Sequence, residues 1–334
     1  MAYPALPFTL SGDAIIVGPQ SSLLLARIEL LQQIALATRE DVALLRSASA
    51  DILRILSTSS SQRTVAHCAS IPEWQGWPLS FRLFGMFEAF CSGVPIARWT
   101  SRKARLLLAY LAMHPRRRVP KEVLIELFWP ECPPTRGANN LSIAIYQIRA
   151  WFKDEADART LGICVQQGLY CLDPEGSSWV DVEEFETRLA EARTALQTRN
   201  KDRAREHFAA AVELYRGDFL ESDPYEEWTV EPRQAYASGC RQAIGWLASD
   251  AAELGDWPKV IELAERMLRR DSCDEDGHRW LMTAHWRMGN RAQALHQYQA
   301  CSKRLEEELG VTPSEETRQL LRTIAGGRSG SLFR

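Results

Sequence analysis

Several patterns that mark common protein classes are absent from this sequence. Its eight cysteines form no CxxC pair, and the dense cysteine spacing of small disulfide-stabilised domains is missing. No apolar run approaches the roughly 20 residues that span a bilayer, and the N-terminus lacks the basic region, apolar block and cleavage site of a secretion signal. We therefore expect reduced thiols, no membrane partner and a cytoplasmic location.

Motifs that carry chemistry are missing as well. The phosphate-binding pattern GxxxxGK[ST] does not occur, so no nucleotide-driven switch is expected. His278 and His285 are seven residues apart on one helical face, but no carboxylate or thiolate completes a metal-ligand set around them. The sequence thus predicts no enzyme, no cofactor and no metal site.

Positive charge is scarce overall but concentrated in one stretch. The net charge is −3, yet residues 96–152 hold ten Lys or Arg against three Glu, a local net charge of +7. Residues 181–334 hold 22 basic and 28 acidic residues, a net charge of −6. A basic patch is the electrostatic footprint of nucleic-acid binding, although it can also be an ordinary solvated surface.

The basic stretch contains three helical patterns separated by turn signals. The first ends at His114-Pro115, the second covers Lys121–Trp129, and the third starts after Gly137 and covers 138–152. The third helix is predicted to bury four apolar residues at helical spacing: Leu141, Ile145, Ile148 and Phe152. An adjacent polar stripe carries amide, hydroxyl, phenol and guanidinium groups, which suit the reading of base edges. We assign base reading to Asn139, Asn140, Ser142, Tyr146 and Arg149. The alternative is an amphipathic helix with an ordinary polar face.

Short strands are predicted on both sides of the helices. FRLFG (81–85), FEAFC (87–91) and VPIARW (94–99) precede them, and ICVQQGLYCL (163–172) is a hairpin with Gly168 in its turn. Strands, three helices and a terminal hairpin form the order of an OmpR-type winged helix-turn-helix, with Gln166 and Gln167 in the wing. Phosphate contacts are assigned to the surrounding cations: Arg102, Lys103, Arg116, Arg117, Arg118, Lys121 and Arg136.

An ordered series of motifs matches a known family. They are FRLFG, SRKARLLLAYLAMHP (101–115), LIELFWPECPPTRGANNL (124–141), Ile148-Arg149 and GLYCLD (168–173). On these motifs, residues 81–173 resemble the DNA-binding domain of the Streptomyces antibiotic regulatory protein (SARP) family. The resemblance implies several arginines in the recognition helix, where this chain has Ser142, Gln147 and Ala150 and keeps only Arg149. Either the chain reads a different DNA sequence, or the winged helix has drifted towards binding protein.

The C-terminal half is predicted to be all-α. Gly255 and Gly289 mark equivalent turns 34 residues apart, which is the tetratricopeptide (TPR) period. The motifs VDVEEFE (180–186), LYRGDFLE (214–221), Trp228 and EELGVTPSEETRQLL (307–321) give residues 180–326 a resemblance to the bacterial transcriptional activator domain. The tryptophans of this region are expected to pack between repeats, although one or two could line a groove for a peptide or effector.

The first 80 residues lie outside both resemblances. Residues 1–20 are loop-like, residues 57–80 are a linker, and residues 21–56 follow a seven-residue apolar register. That register predicts either a dimerising coiled coil or a helix that packs on the chain's own domains. Taken together, these patterns predict a mainly α transcription activator that is associated with the nucleoid and forms a homodimer. It is expected to bind promoter DNA and to contact RNA polymerase or another transcription protein through its repeats. The alternative is a TPR scaffold whose winged helix binds protein.

Overall fold

The computed structural model of the chain describes residues 77–96, 99–153, 162–172, 176 and 178–326. All of them belong to one compact unit, Ser70–Arg334. The predicted helix over residues 21–56, with its coiled-coil interpretation, lies outside the described residues. Within the described part of the chain, no helix is long and apolar enough to cross a membrane.

Four short strands form the first sheet, in the order β3-β2-β1-β7. The strands are β1 Leu79–Arg82, β2 Glu88–Cys91, β3 Val94–Pro95 and β7 Ser178–Val180. β1 ends at Arg82, earlier than predicted, because the backbone N–H groups of Leu83 and Phe84 bind the carboxylate of Asp181 instead of a neighbouring strand. β7 runs parallel to β1, with Leu79 opposite Ser178, and the sequence did not predict it.

Three helices follow, as the apolar periodicity predicts. They are α1 Arg102–Met113, α2 Lys121–Phe128 and α3 Pro134–Lys153. Ser101 caps α1 by accepting the Ala104 N–H, and the helix ends at His114 before Pro115. α3 begins one turn earlier than predicted, since Pro134 suits a first helical turn and the Gly137 N–H already donates to the Pro133 carbonyl.

A three-stranded sheet completes the winged helix-turn-helix. Its strands are β4 Val119–Pro120, β5 Ile163–Gln166 and β6 Leu169–Leu172, in the order β4-β6-β5. The predicted hairpin is confirmed: its two-residue turn, Gln167-Gly168, has φ of 52° and 78°, as a primed hairpin turn requires. β4 is only two residues long and carries a proline, so the sequence pattern gave no signal for it.

Seven α-helices make up the rest of the described chain. They are α4 Asp181–Gln197, α5 Lys201–Leu214, α6 Val230–Glu253, α7 Trp257–Leu268, α8 Glu275–Arg287, α9 Arg291–Leu309 and α10 Glu315–Ala325. A 3₁₀ turn, Glu227–Thr229, precedes α6. The prediction that this half of the chain is all-α is therefore confirmed for the residues that the structure describes.

The predicted 34-residue repeat is visible in the helical turns. Gly255 and Gly289 both have positive φ (75° and 83°), and their N–H groups donate to carbonyls 34 residues apart, Ala252 and Trp286. Arg199 occupies the same kind of turn between α4 and α5, with φ 58° and a bond from its N–H to Leu196. The fold is thus mainly α: a winged helix followed by TPR-like helical hairpins.

The two parts share a continuous apolar core. Phe84, just after β1, lies within 5.5 Å (ring centroids) of Phe185, Tyr215 and Tyr236, all from the helical part, at 5.2, 4.7 and 5.4 Å. Asp181, the first residue of α4, is 1% exposed and accepts the Leu83 and Phe84 N–H groups at 2.8 to 3.0 Å. Asp181 and the aromatic cluster around Phe84 thus join the winged helix to the first helical hairpin directly.

Burial gives Asp181 an unusual titration. It raises the pKa of this carboxyl from 3.8 to about 6, against the opposing effects of the Phe84 and Leu83 N–H groups and of Arg216. Because the folded chain then holds a proton that the unfolded chain has lost, this group's contribution to the free energy of unfolding falls as pH rises from about 4 to about 6. We expect a decline on the order of 2–3 kcal/mol across that window.

Urea denaturation at pH 4, 5, 6 and 7 measures this decline. Other carboxyl groups titrate in the same range, so the comparison is with Asp181→Asn, which cannot ionise. The difference in unfolding free energy between the two chains should change across the window. Parallel pH profiles would show that Asp181 does not titrate there.

Candidate nucleic-acid interface

The third helix separates an apolar face from a polar one, as its sequence predicts. Leu141, Ile145, Ile148 and Phe152 are at most 4% exposed and form part of the core. Asn139, Ser142, Tyr146 and Arg149 are exposed, and Tyr146 is 74% exposed. The buried face fixes the rotation of α3, and this rotation holds the polar stripe towards solvent.

Two of the residues assigned to base reading form hydrogen bonds with neighbouring residues of the chain. Ser142 is exposed, and its hydroxyl donates to the Ala138 carbonyl at 3.0 Å, which leaves its oxygen lone pairs outward. Asn140 is half-buried, and its Nδ2 points to Cys132 Sγ at 3.8 Å. Asn140 therefore lies at the edge of the exposed stripe, beside the turn that precedes α3, and its role in base reading stays a prediction.

Arg149 connects α3 to the wing. Its Nη2 donates to the Ile163 carbonyl of β5 at 2.9 Å. The same guanidinium lowers the pKa of the nearby Tyr170 phenol, while burial has the larger, opposite effect and raises it overall. Arg149 consequently positions the hairpin against the helix, and its remaining N–H groups are free to point outward because the residue is still exposed.

The wing turn lies beside the start of α2. The Gly168 carbonyl accepts the Lys121 N–H at 2.9 Å, and both Gln166 and Gln167 are exposed. Lys121 Nζ lies 3.8 Å from Glu122, a solvent-exposed pair that holds the ammonium only weakly. The wing and the second helix thus present amide and ammonium groups together.

Three further exposed arginines belong to the winged helix. Arg117 and Arg118 follow α1, and Arg136 lies in the first turn of α3, where there is no acidic residue. All three are exposed, and none pairs with a carboxylate among the residues that the structure describes. A cation in the first turn opposes the helix dipole, so Arg136 does not stabilise α3 and is available to an anion. We call Arg117, Arg118 and Arg136 the free cations.

Comparison with known proteins matches this arrangement. Residues 180–325 match the bacterial transcriptional activator domain. Over 240 residues the chain is 27% identical to the regulatory protein DnrI of Streptomyces peucetius. This match covers 70% of this chain and 86% of DnrI. It is 25% identical over 256 residues to the regulatory protein AfsR of Streptomyces griseus, 74% of this chain but only 24% of AfsR.

The chain is thus similar to SARP-type transcriptional regulators. The solved structure of Mycobacterium tuberculosis EmbR in complex with a low affinity phosphopeptide has the same fold. Its TM-score is 0.61 at 22% identity, and the match covers 76% of this chain and 67% of the EmbR chain. The overall fold of this chain is therefore shared with that solved structure over most of the described residues.

Arg102 faces the part of the chain that matches the activator domain. Its Nε donates to Asp223 at 2.9 Å and its Nη2 lies 2.9 Å from Glu226. Arg105 binds the other Asp223 oxygen at 2.6 Å, and the Asp223 side chain is 1% exposed. A buried carboxylate that lost these partners would be strongly destabilising. This placement favours a contact between domains over the predicted contact of Arg102 with phosphate.

Arg116 also pairs with a carboxylate of the activator domain. The Arg116 guanidinium pairs with Glu183 of α4, and the backbone N–H of Arg116 donates to the Leu172 carbonyl at the base of the wing. We therefore assign Arg116 to the contact between the two domains. Lys103 is half-buried and has no carboxylate partner among the described residues. Its assignment to phosphate remains a prediction.

The sequence analysis did not single out Ile143, which is 56% exposed on the polar side of α3. Trp228 was expected to pack between repeats, but its ring packs on the winged helix, 5.3 Å from Tyr110 and 6.2 Å from Phe128. A signal for Ile143 was available: it lies two residues from Leu141 and from Ile145, which turns it away from the buried stripe. No comparable signal identifies the contacts of Trp228.

Proposed function

We propose that the chain regulates transcription by binding promoter DNA through α3 and the wing, and that it acts as an activator. The observation that carries this proposal is the exposed stripe Asn139, Ser142, Tyr146 and Arg149, held outward by the buried face of the same helix. A helix of this kind fits the B-DNA major groove, where each base pair has a distinct donor and acceptor pattern. The attached activator domain supports a transcriptional role.

The roles of the surrounding groups follow from their positions. Gln166 and Gln167 at the wing turn contact the adjacent minor groove or backbone. Phosphates are held by the free cations and by Lys121, with Lys103 as a further candidate. Phosphate contacts position a protein on the duplex, whereas contacts to base edges specify the sequence. Such a DNA partner places the protein in the cytoplasm, on the nucleoid.

The helical repeats supply a second binding surface. A cleft of about 320 Å³ lies between α8 and α10, and Trp280, Trp286 and Leu320 contribute to its lining. We propose that the repeats contact RNA polymerase or another transcription protein. Homodimer formation through residues 21–56 also belongs to this proposal, since paired half-sites are common for such DNA-binding domains.

A salt titration of DNA binding tests the proposal. For each phosphate contact removed, the slope of log K against log salt should become shallower by about 0.9. The variant Arg117→Ala/Arg118→Ala/Arg136→Ala should therefore lose roughly 2–3 units of slope, with weaker binding to all sequences. Fluorescence anisotropy with labelled genomic duplexes at several salt concentrations gives the slope.

Arg102→Ala is the matched control. It also removes one arginine from the basic stretch, but this arginine faces Asp223 and Glu226. We expect the salt slope to be unchanged and the melting temperature to fall. If the wild-type chain binds no duplex at low salt, the proposal is wrong, and a protein-binding winged helix is the better account.

A further inference from the structure

One residue on the DNA-facing side of α3 does not match its neighbours in polarity. Ile143 is 56% exposed, whereas the other long aliphatic residues of α3, Leu141, Ile145 and Ile148, are at most 4% exposed. Tyr146 lies three residues on and is 74% exposed. Residues three apart are neighbours on a helix surface, so the isoleucine and the phenol ring form one apolar patch. We call this pair the apolar patch.

The surroundings of the apolar patch restrict what can cover it. Asn139 lies one turn before Ile143, Ser142 lies beside it, and Arg136 lies one turn further towards the start of the helix. The free cations give the surface a positive charge with no described carboxylate partner. A partner must therefore combine negative charge, hydrogen-bonding edges and a small apolar group within a few ångströms of each other.

Duplex DNA offers that combination in its major groove. Thymine carries the 5-methyl group there, next to its O4 acceptor, and phosphates line both sides of the groove. The rise of about 1.5 Å per helical residue separates Ile143 from Tyr146 by about 4.5 Å along the axis, close to the base-pair rise of about 3.4 Å. Isoleucine is also stiff at χ1, so little side-chain entropy is lost on contact.

We propose that Ile143 is a specificity-determining residue that packs on thymine 5-methyl groups, with Tyr146 covering the neighbouring base-pair step. The recognition sequence then contains thymine at the position facing Ile143. This inference rests on the proposed function, because it requires α3 to lie in the major groove. It assigns to an aliphatic contact part of the discrimination that arginines would otherwise provide.

Replacement of thymine by uracil tests the inference. Duplexes are first selected from a random library with the full wild-type chain, then amplified with either dTTP or dUTP. The uracil form keeps every phosphate and hydrogen-bonding edge and lacks only the methyl groups. Because burial of one methyl group contributes about a fourfold change in affinity, we expect the wild-type chain to bind the uracil form about fourfold to tenfold more weakly.

The variant Ile143→Ala should bind the thymine form more weakly and lose most of its preference over uracil. Ile143→Val, which keeps a branched apolar side chain, should retain most of the preference. Val230→Ala is the matched control, since Val230 is 43% exposed but lies at the start of α6 in the activator domain. It should leave both affinities unchanged.

The possible outcomes separate the two proposals. Selective binding with equal affinity for thymine and uracil would overturn the role of Ile143 and leave the proposed function intact. A thymine preference that persists in Ile143→Ala would also overturn it, because another residue or the shape of the duplex would then be responsible. If no duplex is selected at low salt, the proposed function itself fails.

Discussion

Replacement of Asp181 by alanine is expected to lower the free energy of unfolding by about 4 kcal/mol. The Asp181 carboxylate accepts the N–H groups of Leu83 and Phe84, and both of these residues are at most 1% exposed. Alanine leaves two buried donors without an acceptor. Each such group costs about 1–3 kcal/mol.

The structure gives this substitution a second consequence. Asp181 opens α4, while Leu83 and Phe84 follow the first strand of the winged helix, so the lost bonds join the two domains. Arg216 Nη2, 3.6 Å from Asp181, also loses its nearby carboxylate. The defect therefore weakens both domains together and should lower DNA affinity through the folded fraction alone.

Guanidinium denaturation followed by circular dichroism and tryptophan fluorescence measures the effect. Asp202→Ala is the control: the Asp202 side chain is 86% exposed and pairs with Arg205 one turn along α5, so it should cost less than about 0.5 kcal/mol. Asp181→Asn should lie between the two, because its amide nitrogen would face a backbone donor. A loss below 1 kcal/mol for Asp181→Ala would contradict the role assigned to these hydrogen bonds.

Gly137→Ala is expected to displace the recognition helix and reduce DNA affinity about tenfold or more, the loss that one good base contact represents. A Cβ at residue 137 would lie 2.5 Å from Cγ2 of Ile125, which belongs to α2. This methyl group is attached to a branched carbon and cannot rotate away cheaply. Overpacking of this kind also costs about 1–3 kcal/mol of stability.

A second substitution distinguishes this explanation from a general helix effect. Ile125→Ala removes the clashing methyl group, so Gly137→Ala/Ile125→Ala should recover DNA affinity relative to Gly137→Ala alone. Gly245→Ala is the control, because Gly245 lies inside α6 and a Cβ there meets no heavy atom within 4 Å. It should raise stability by up to about 1 kcal/mol. If Gly137→Ala is as harmless as Gly245→Ala, the close packing of α2 and α3 does not position the recognition helix.

The sequence predicts the helices of this chain better than it predicts the long-range strand pairing that connects its parts. α3 is readable because its apolar residues recur at helical spacing, and the turns at Gly255 and Gly289 because they repeat at a fixed offset. β7 has no such local signal. Its pairing with β1 joins Leu79 to Ser178, and a pairing over that sequence distance depends on how the intervening residues fold.

The candidate site also has features that the sequence predicts and features that only the tertiary structure shows. Local periodicity places Asn139, Ser142 and Tyr146 on one exposed face, and the structure agrees. Whether an individual arginine is available to DNA depends on carboxylates that are distant in sequence. Arg102 forms an ion pair with Asp223, and Arg116 forms one with Glu183. Local charge counting treats all ten cations of the basic stretch alike, so it overstates the number available to phosphates. Only tertiary structure separates interdomain arginines from free ones.

The parallel pairing of β1 with β7 has a consequence for promoter architecture. This pairing and the shared aromatic core around Phe84 fix the activator domain against the winged helix. If α3 binds DNA as proposed, the repeats must project from one side of the duplex. A protein partner contacted by the repeats must then approach from that same side. Operator spacing is consequently constrained by rotation: displacement by a full turn of about 10 base pairs preserves the relative orientation, whereas half a turn reverses it.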